Sequence, residues 1–470
     1  MYQMLIDGSL VAGAATLDVV NPATGQVFAS AARADAWQLE QAVEAGNRAF
    51  PGWSKLGFSE RRTFLIALAD AVEARSEEFA RLLTQEQGKP LPQAAYEVAG
   101  TIAVIRYFAS QALEPRVLRD SAEESVVEHR VPLGVVAAIT PWNYPLLLLM
   151  IKVAPALIVG NTVIAKPAPT TPLTTLLLGS VAAAILPAGV LQTIVDSNDL
   201  GPVLTRHPGI AHVSFTGSTA TGKKVLGSTV DSLKRFTLEL GGNDAALVLE
   251  DADIKAVAPK IFEAATMNSG QVCFAAKRIF APSHMVGALC AELEKLAEAA
   301  IVGDGLELGT TLGPIQNRVQ YDRVLEIIED ARANGTVVTG GHTREGEGFF
   351  ISPMVVRDLP DNSRLVREEQ FGPLLPVLSY ESVDEALNRI NGSEYGLGGT
   401  VWTSNPRRGI EIASQIQSGT VWVNKFLDIP FDIAFGGAKQ SGIGRQQGIE
   451  GMEEFTQARI INAALAPAKI

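Results

Sequence analysis

The stretch Val135-Val-Ala-Ala-Ile-Thr-Pro-Trp-Asn-Tyr-Pro-Leu-Leu-Leu-Leu-Met-Ile-Lys-Val-Ala-Pro-Ala-Leu-Ile-Val-Gly-Asn-Thr-Val-Ile-Ala-Lys166 decides how this chain folds. An apolar run of strand length over residues 135–140 stops at a Pro-flanked turn, helical apolar spacing occupies 146–157, and a second strand-like run covers 162–166. That is one βαβ unit. Outward from it, strand-length runs recur at 192–195, 212–216 and 236–240, with helical patterns between them at 173–185, 200–206 and 219–226. Runs that are apolar throughout fit a parallel sheet covered on both faces, so an α/β architecture is expected.

The flanks are organised differently. Residues 35–50, 60–87 and 93–113 carry amphipathic helical spacing, with Gly88-Lys-Pro90 as a stop signal, and residues 116–130 suit an exposed strand pair. After Gly241-Gly242 a looser α/β pattern predicts helices at 254–267, 286–300 and 319–333, then a strand at 419–424 and a Gly-rich stretch at 435–444. No internal repeat, low-complexity tract or flexible linker interrupts the chain, so its lobes are expected to interlock through chain crossings.

A chain of 470 residues exceeds what one core usually supports, and two or three lobes are expected. The net charge of −12 argues against nucleic acid or an anionic membrane as partner and leaves small molecules as the better expectation. The longest apolar run, 144–159, is cut by Lys152 and Pro155 and is too short to span a bilayer. Two cysteines, Cys273 and Cys290, and an amino-terminal segment without an export signal point to a reducing cytoplasm.

Cys273, in Thr266-Met-Asn-Ser-Gly-Gln-Val-Cys-Phe-Ala-Ala-Lys-Arg-Ile-Phe280, lies just past a turn signal. It reads either as a small buried hydrophobe or as a thiol at a loop-to-helix junction, where backbone N–H groups favour the thiolate. Glu239, in Leu238-Glu-Leu-Gly-Gly242, ends an apolar strand, as a salt-bridge partner or as a desolvated general base. Asn143 sits between Pro141 and Pro145 as a turn residue or as an oxyanion donor at a strand end. Phe215-Thr-Gly-Ser-Thr-Ala-Thr-Gly-Lys-Lys224 approaches a P-loop but has Lys224 where a magnesium-binding hydroxyl belongs, which leaves a Gly-rich turn into a helix able to meet a phosphate. There is no Gly-x-Gly-x-x-Gly after a strand. The five histidines fit no ligand pattern, so no metal is expected, and Cys273 lacks an obvious histidine base.

Taken together, Pro141-Trp-Asn-Tyr-Pro145, Lys166-Pro167, Phe215-Thr-Gly-Ser218, Glu239-Leu-Gly-Gly242, Gly270-Gln-Val-Cys273, Glu368-Glu-Gln-Phe-Gly-Pro373 and Phe435-Gly-Gly437 resemble, in order and spacing, the NAD(P)-dependent aldehyde dehydrogenases of the non-acylating, hydrolytic type. The resemblance implies an aldehyde dehydrogenase-like α/β fold: a Rossmann-like cofactor domain from residues 1–115 and 131–240, a catalytic domain from 241–438, and a small β oligomerisation element from 116–130 with 439–470. It implies Cys273 as nucleophile, Asn143 with the Cys273 N–H as oxyanion hole, and Glu239 as the base that activates water. Lys166 would contact the adenine ribose, Gly217 and Ser218 the pyrophosphate, and Glu369 and Phe371 the nicotinamide ribose and ring, with Thr140, Trp142 and Gly241 nearby. A homodimer or homotetramer is implied as well.

Pro169 stands where NAD-preferring relatives often carry a glutamate, so NADP is expected to be accepted besides NAD. Glu239 favours water over coenzyme A as the acyl acceptor. The implied substrate wall, Tyr144, Phe274, Phe426, Phe431 and Phe435, holds no arginine, and an apolar aromatic or medium-chain aldehyde is expected over a semialdehyde, with Lys425 as the one candidate clamp for an acidic substrate. A semialdehyde dehydrogenase, a coenzyme A-acylating enzyme and a catalytically silent binding protein on the same scaffold are the alternatives.

Overall fold

The computed structural model describes residues 2–344, 346 and 348–465. Two open sheets form its frame. The first has six strands in the order Gly442–Ile443, Arg235–Glu239, His212–Thr216, Val135–Ile139, Thr162–Lys166 and Leu191–Thr193, all parallel except Gly442–Ile443. Of the four inner strands, Val135–Ile139, Thr162–Lys166 and His212–Thr216 are buried at every position, because helices cover both faces. One of these helices, Pro145–Ile158, is itself buried on nearly all sides.

From Val135–Ile139 the chain steps to Thr162–Lys166 and Leu191–Thr193 on one side, then returns to lay down His212–Thr216 and Arg235–Glu239 on the other. The connections leaving Val135–Ile139 and His212–Thr216 therefore diverge and open a crevice at the carboxyl ends of the strands. In open α/β sheets that is where ligands bind.

The second sheet has seven strands in the order Thr336–Thr339, Met354–Arg357, Leu374–Tyr380, Ala276–Pro282, Asp244–Val248, Gly398–Trp402 and Thr420–Val423, parallel except for Thr336–Thr339. Leu240-Gly241-Gly242 links the last parallel strand of the first sheet directly to Asp244–Val248. Asp244 pairs with Ala276, and a Cβ built on Gly242 would lie 2.7 Å from the Cys273 carbonyl oxygen. Register thus brings the Cys273 loop to the junction of the two sheets, next to the end of the Glu239 strand.

A third, exposed sheet joins the hairpin Arg116–Asp120 and Glu124–Pro132 to the late strand Thr456–Ala464. At the other end of the chain, two antiparallel pairs, Met4–Ile6 with Ser9–Val11 and Ala15–Asn21 with Gln26–Arg33, pack before the first helix. The sequence pattern does not announce these short strands. Among the described residues no helix is long and apolar enough to cross a membrane.

Candidate active site

The turn after Val135–Ile139 is held from behind by a fully buried ion pair. Lys89 Nζ lies 2.5 Å from Glu97 Oε2, donates to the Asn143 carbonyl at 2.8 Å, and sits 3.5 Å from the centroid of the Tyr144 ring. The other oxygen, Glu97 Oε1, accepts the N–H groups of Leu146 and Leu147 at 3.0 and 3.2 Å, satisfying the first turn of helix Pro145–Ile158. Asn268 Nδ2 adds a second donor to the Asn143 carbonyl at 3.0 Å. With its backbone pinned, Asn143 directs Nδ2 to the Gln271 carbonyl at 3.0 Å and keeps one amide hydrogen free.

The loop that carries Cys273 comes after helix Ile254–Thr266. Asn268, Ser269 and Gly270 adopt left-handed φ of 51°, 56° and 74°, a run that side chains ordinarily avoid. Its partners over-determine it: Ser269 Oγ donates to the Gly313 carbonyl at 2.7 Å, and Gln271 Oε1 accepts the Gln316 N–H at 2.8 Å. Only glycine fits at 270, where a Cβ would lie 2.2 Å from the Gly372 carbonyl oxygen. The expected loop-to-helix junction is not found. Cys273 instead precedes the buried strand Ala276–Pro282, so the segment that follows it offers the thiol no helix N-terminus, because the small residues Ala275 and Ala276 lead into a β-rich run, Arg278-Ile-Phe280.

Cys273 sits in an apolar cluster with Leu397, Trp422, Phe435, Phe274 and Ile429. Burial pushes its thiol up to about 12, against the opposing pull of Lys277. The Cys273 N–H has no hydrogen-bond partner among the described residues, which leaves it available beside the Asn143 amide.

Glu239 ends its strand 5% exposed, and among the described residues neither carboxylate oxygen has a hydrogen-bond partner. Desolvation raises its carboxyl to about 8, while Lys152 and Arg445 pull it down and Glu454 adds to the rise. Lys152, on the buried face of helix Pro145–Ile158, donates to Thr216 Oγ1 at 2.6 Å, and burial depresses it to about 7. Its only signal in the sequence is a charge interrupting the longest apolar run.

A cleft of about 150 Å³ joins Cys273 and Asn143 to the sheet crevice, where Trp142, Gly217, Ser218, Gly241, Glu369 and Phe371 line it. Trp142 and Phe371 meet edge to face with centroids 5.3 Å apart. Glu369 Oε1 accepts the Gly242 N–H at 3.0 Å, and a Cβ on Gly241 would come within 2.2 Å of Glu369 Oε2. Phe371 is held at φ 50° by Gln320, whose Nε2 donates to the carbonyls of Gln370 and Phe371. Ser218 caps helix Thr219–Thr229 by accepting the Thr221 N–H. At the next strand end Lys166 Nζ lies 2.5 Å from the buried Asp196, and the neighbouring Thr140 hydroxyl is buried without a partner. Two aromatic rings, a carboxylate, a glycine approach and a helix start along one crevice suit a dinucleotide.

Of the residues expected to line the substrate site, Phe274 and Phe435 stack 5.5 Å apart beside Cys273, and Tyr144 lies near the thiol over Lys89. Phe426 packs against the layer containing helix Ile254–Thr266, and Phe431 against the core of the first sheet. Trp422 takes a place that sequence reasoning missed, fixed by its Nε1 donating to the Asp428 carbonyl at 2.9 Å. Arg323 and Gln320, also unforeseen, come from helix Arg318–Asn334. A larger, more open groove of about 940 Å³ runs between helices Ser76–Gln87 and Leu91–Ser110, and Cys273, Asn143 and Glu369 are not among the residues that line it.

Residues 10–461 match the model of the family described as "Aldehyde dehydrogenase family". Retinaldehyde dehydrogenase 3 of Homo sapiens is 36% identical over 455 residues, covering 95% of this chain and 89% of its own. A crystal structure of a putative aldehyde dehydrogenase from Burkholderia cenocepacia superposes with a TM-score of 0.96 at 36% identity, covering 100% of this chain and 98% of that one. The NAD+ complex of an aldehyde dehydrogenase from Bacillus cereus matches with a TM-score of 0.96 at 33% identity, covering 99% and 96%.

Proposed function

The chain belongs to the aldehyde dehydrogenase family, and on that premise we propose that it oxidises an apolar aldehyde to the free carboxylic acid with NAD or NADP. The observation that carries the reading is the single cleft in which Cys273 and Asn143 meet Gly217, Ser218, Glu369 and Phe371. A nicotinamide dinucleotide bound along the crevice supplies the hydride acceptor. Everything else is done by the chain.

The Cys273 thiolate adds to the aldehyde carbon, and the resulting alkoxide receives hydrogen bonds from the Asn143 amide and the Cys273 N–H. Loss of hydride from the same carbon leaves a thioester on Cys273. Glu239, desolvated and unpartnered, takes a proton from water, which attacks the thioester and releases the acid. A carboxylate with a raised affinity for protons suits that step better than an ordinary glutamate, because it holds the proton it removes.

The wall of Phe274, Phe435, Trp422 and Ile429 supports an aromatic or medium-chain substrate. Lys425, the alternative clamp for an acidic aldehyde, is engaged by Asp428. Lys166-Pro-Ala-Pro169 presents no carboxylate, and Asp196 is buried against Lys166, which supports acceptance of a 2′-phosphate. The exposed third sheet carries Val117, Leu118, Ile460 and Ile461 outward on strands with free edges, and this supports a role in pairing subunits into a dimer or tetramer. The test is reduced-cofactor formation from benzaldehyde and hexanal with NAD and NADP separately, without coenzyme A, beside Cys273→Ala. Turnover that the substitution abolishes is expected; silence with both aldehydes and both cofactors would overturn the proposal.

A further inference from the structure

Cys273 presents a problem of reactivity. Buried among apolar side chains, the thiol is held far from ionisation, yet only the thiolate is a nucleophile. Among the described residues no histidine lines the cleft, and Cys273 leads into a strand instead of a helix. The charged and titratable groups around it are Lys277, Glu369, Asp244 and Glu239, with Tyr144 also close. Of these only Lys277 favours the thiolate, and the three carboxylates oppose it.

Lys277 is four residues after Cys273 and 1% exposed. Its Nζ donates to the Val272 carbonyl at 2.8 Å and to the Cys273 carbonyl, and lies 3.6 Å from Glu369 Oε1. In a trans peptide the carbonyl and the following N–H point in opposite directions. Fixing the Val272 carbonyl therefore fixes the direction of the Cys273 N–H. Glu369, in turn, is the carboxylate that borders the cofactor cleft and accepts the Gly242 N–H.

We propose that Lys277 is a positioning residue that aims the Cys273 N–H at the developing oxyanion and relays occupancy of the Glu369 site to the thiol. The relay rests on the reading of Glu369 as a cofactor contact. In the free protein the positive charge of Lys277 is shared with Glu369, which Arg323 also approaches, and with Asp244, which Arg278 also approaches. A ribose hydroxyl donating to Glu369 withdraws that carboxylate from Lys277. The field of Lys277 then falls more fully on the sulfur, and the thiol ionises at lower pH. Both roles arise from one side chain touching the loop on one side and the cleft on the other.

The test is the pH dependence of iodoacetamide alkylation of Cys273, in free protein and with saturating NADH or NADPH. The reduced ring carries no positive charge of its own, so it does not confound the reading. Saturation is verified separately by protein-to-nucleotide fluorescence transfer. In the wild type the apparent thiol pKa is expected to fall by about one unit on binding. In Lys277→Met the fall is expected to vanish, with kcat lower by about 10²-fold and the aldehyde KM changed less than about threefold. Lys277→Arg, which keeps the charge, is expected to restore part of the shift.

An undiminished shift in Lys277→Met, with kcat within about threefold of wild type, would overturn the proposal. Should Lys277→Met not fold, the wild type decides alone, since verified binding with no shift overturns it equally. If neither nucleotide binds the wild type, the cofactor reading of Glu369 and the relay fail together. The orienting role then stands or falls on whether Lys277→Met changes the alkylation profile of the free protein.

Discussion

Glu97 and Glu239 are both buried glutamates, and the structure treats them in opposite ways. Glu97 is saturated: Lys89 on one oxygen, two backbone N–H groups on the other. The Glu239 carboxylate has no hydrogen-bond partner among the described residues. A buried carboxylate with both oxygens engaged is a fastener, and here it fixes the turn that aims Asn143. One that burial has stripped of partners is poised to accept a proton. The contrast separates the part of the site that holds geometry from the part that does chemistry.

The contrast can be broken most strongly at Glu239. Glu239→Gln is expected to lower steady-state kcat by about 10³-fold, near the middle of the range for removing a general base, while one equivalent of reduced cofactor still forms rapidly as thioester accumulates. Rapid-mixing absorbance at the reduced-nicotinamide band distinguishes this from loss of binding. At Glu97 the expected damage is to the fold. Lys89→Met leaves that carboxylate buried and uncompensated, costing about 3–5 kcal/mol of stability, which denaturant unfolding would read directly. Breaking an exposed pair such as Arg48 with Asp7 in the same way should change stability by about 1 kcal/mol or less.

Titration sharpens the comparison further. With its carboxyl raised to about 8, Glu239 ionises only above that pH, so hydrolytic kcat is expected to rise about tenfold per pH unit below it and then level off. Stability runs the other way. Between the unfolded value near 4.3 and the folded value near 8, the unfolded chain ionises and the folded chain does not, so this group weakens the fold progressively as pH rises through that window. Glu239→Gln should therefore gain in melting temperature over wild type at pH 9 and lose that advantage at pH 4. A smaller catalytic effect is expected at the far strand end. Asp196→Asn frees Lys166 for a 2′-phosphate and should move the ratio of kcat/KM values toward NADP by about tenfold, at some cost in stability because a buried pair is broken.

Much of the frame is legible in the sequence, and the reasons are physical. Parallel strands covered on both faces favour apolar, β-branched residues, so Val135–Ile139 stands out as a wholly apolar run, and Thr162–Lys166 and His212–Thr216 as shorter apolar stretches with polar residues buried among them. Glu239 and Asn143 stand out because a polar residue at the end of such a run needs a reason. The Lys89–Glu97 pair does not, because nothing in a helix stop signal and a helical glutamate says that both will meet a turn more than forty residues later. The turn signal before Cys273 is misleading about the next element, because turn residues announce a change of direction without saying whether a helix or a strand comes after it. Three left-handed residues in a row deliver this one to a strand. Phe426 and Phe431 share their local composition with Phe435 yet face other layers, since irregular segments have no period from which to read direction.

The edge of the first sheet has one more consequence, and it concerns time. Gly442–Ile443 pairs with the Glu239 strand, and Leu240 N–H is accepted by the Ser441 carbonyl at 2.9 Å, across some two hundred residues that build the whole second sheet. A chain emerging from the ribosome therefore exposes the Glu239 strand as an open edge until the second sheet has been made. During that interval the acid is an ordinary solvated glutamate. The dry pocket that makes it a base is closed among the last steps of synthesis, by residues some two hundred positions further along the chain.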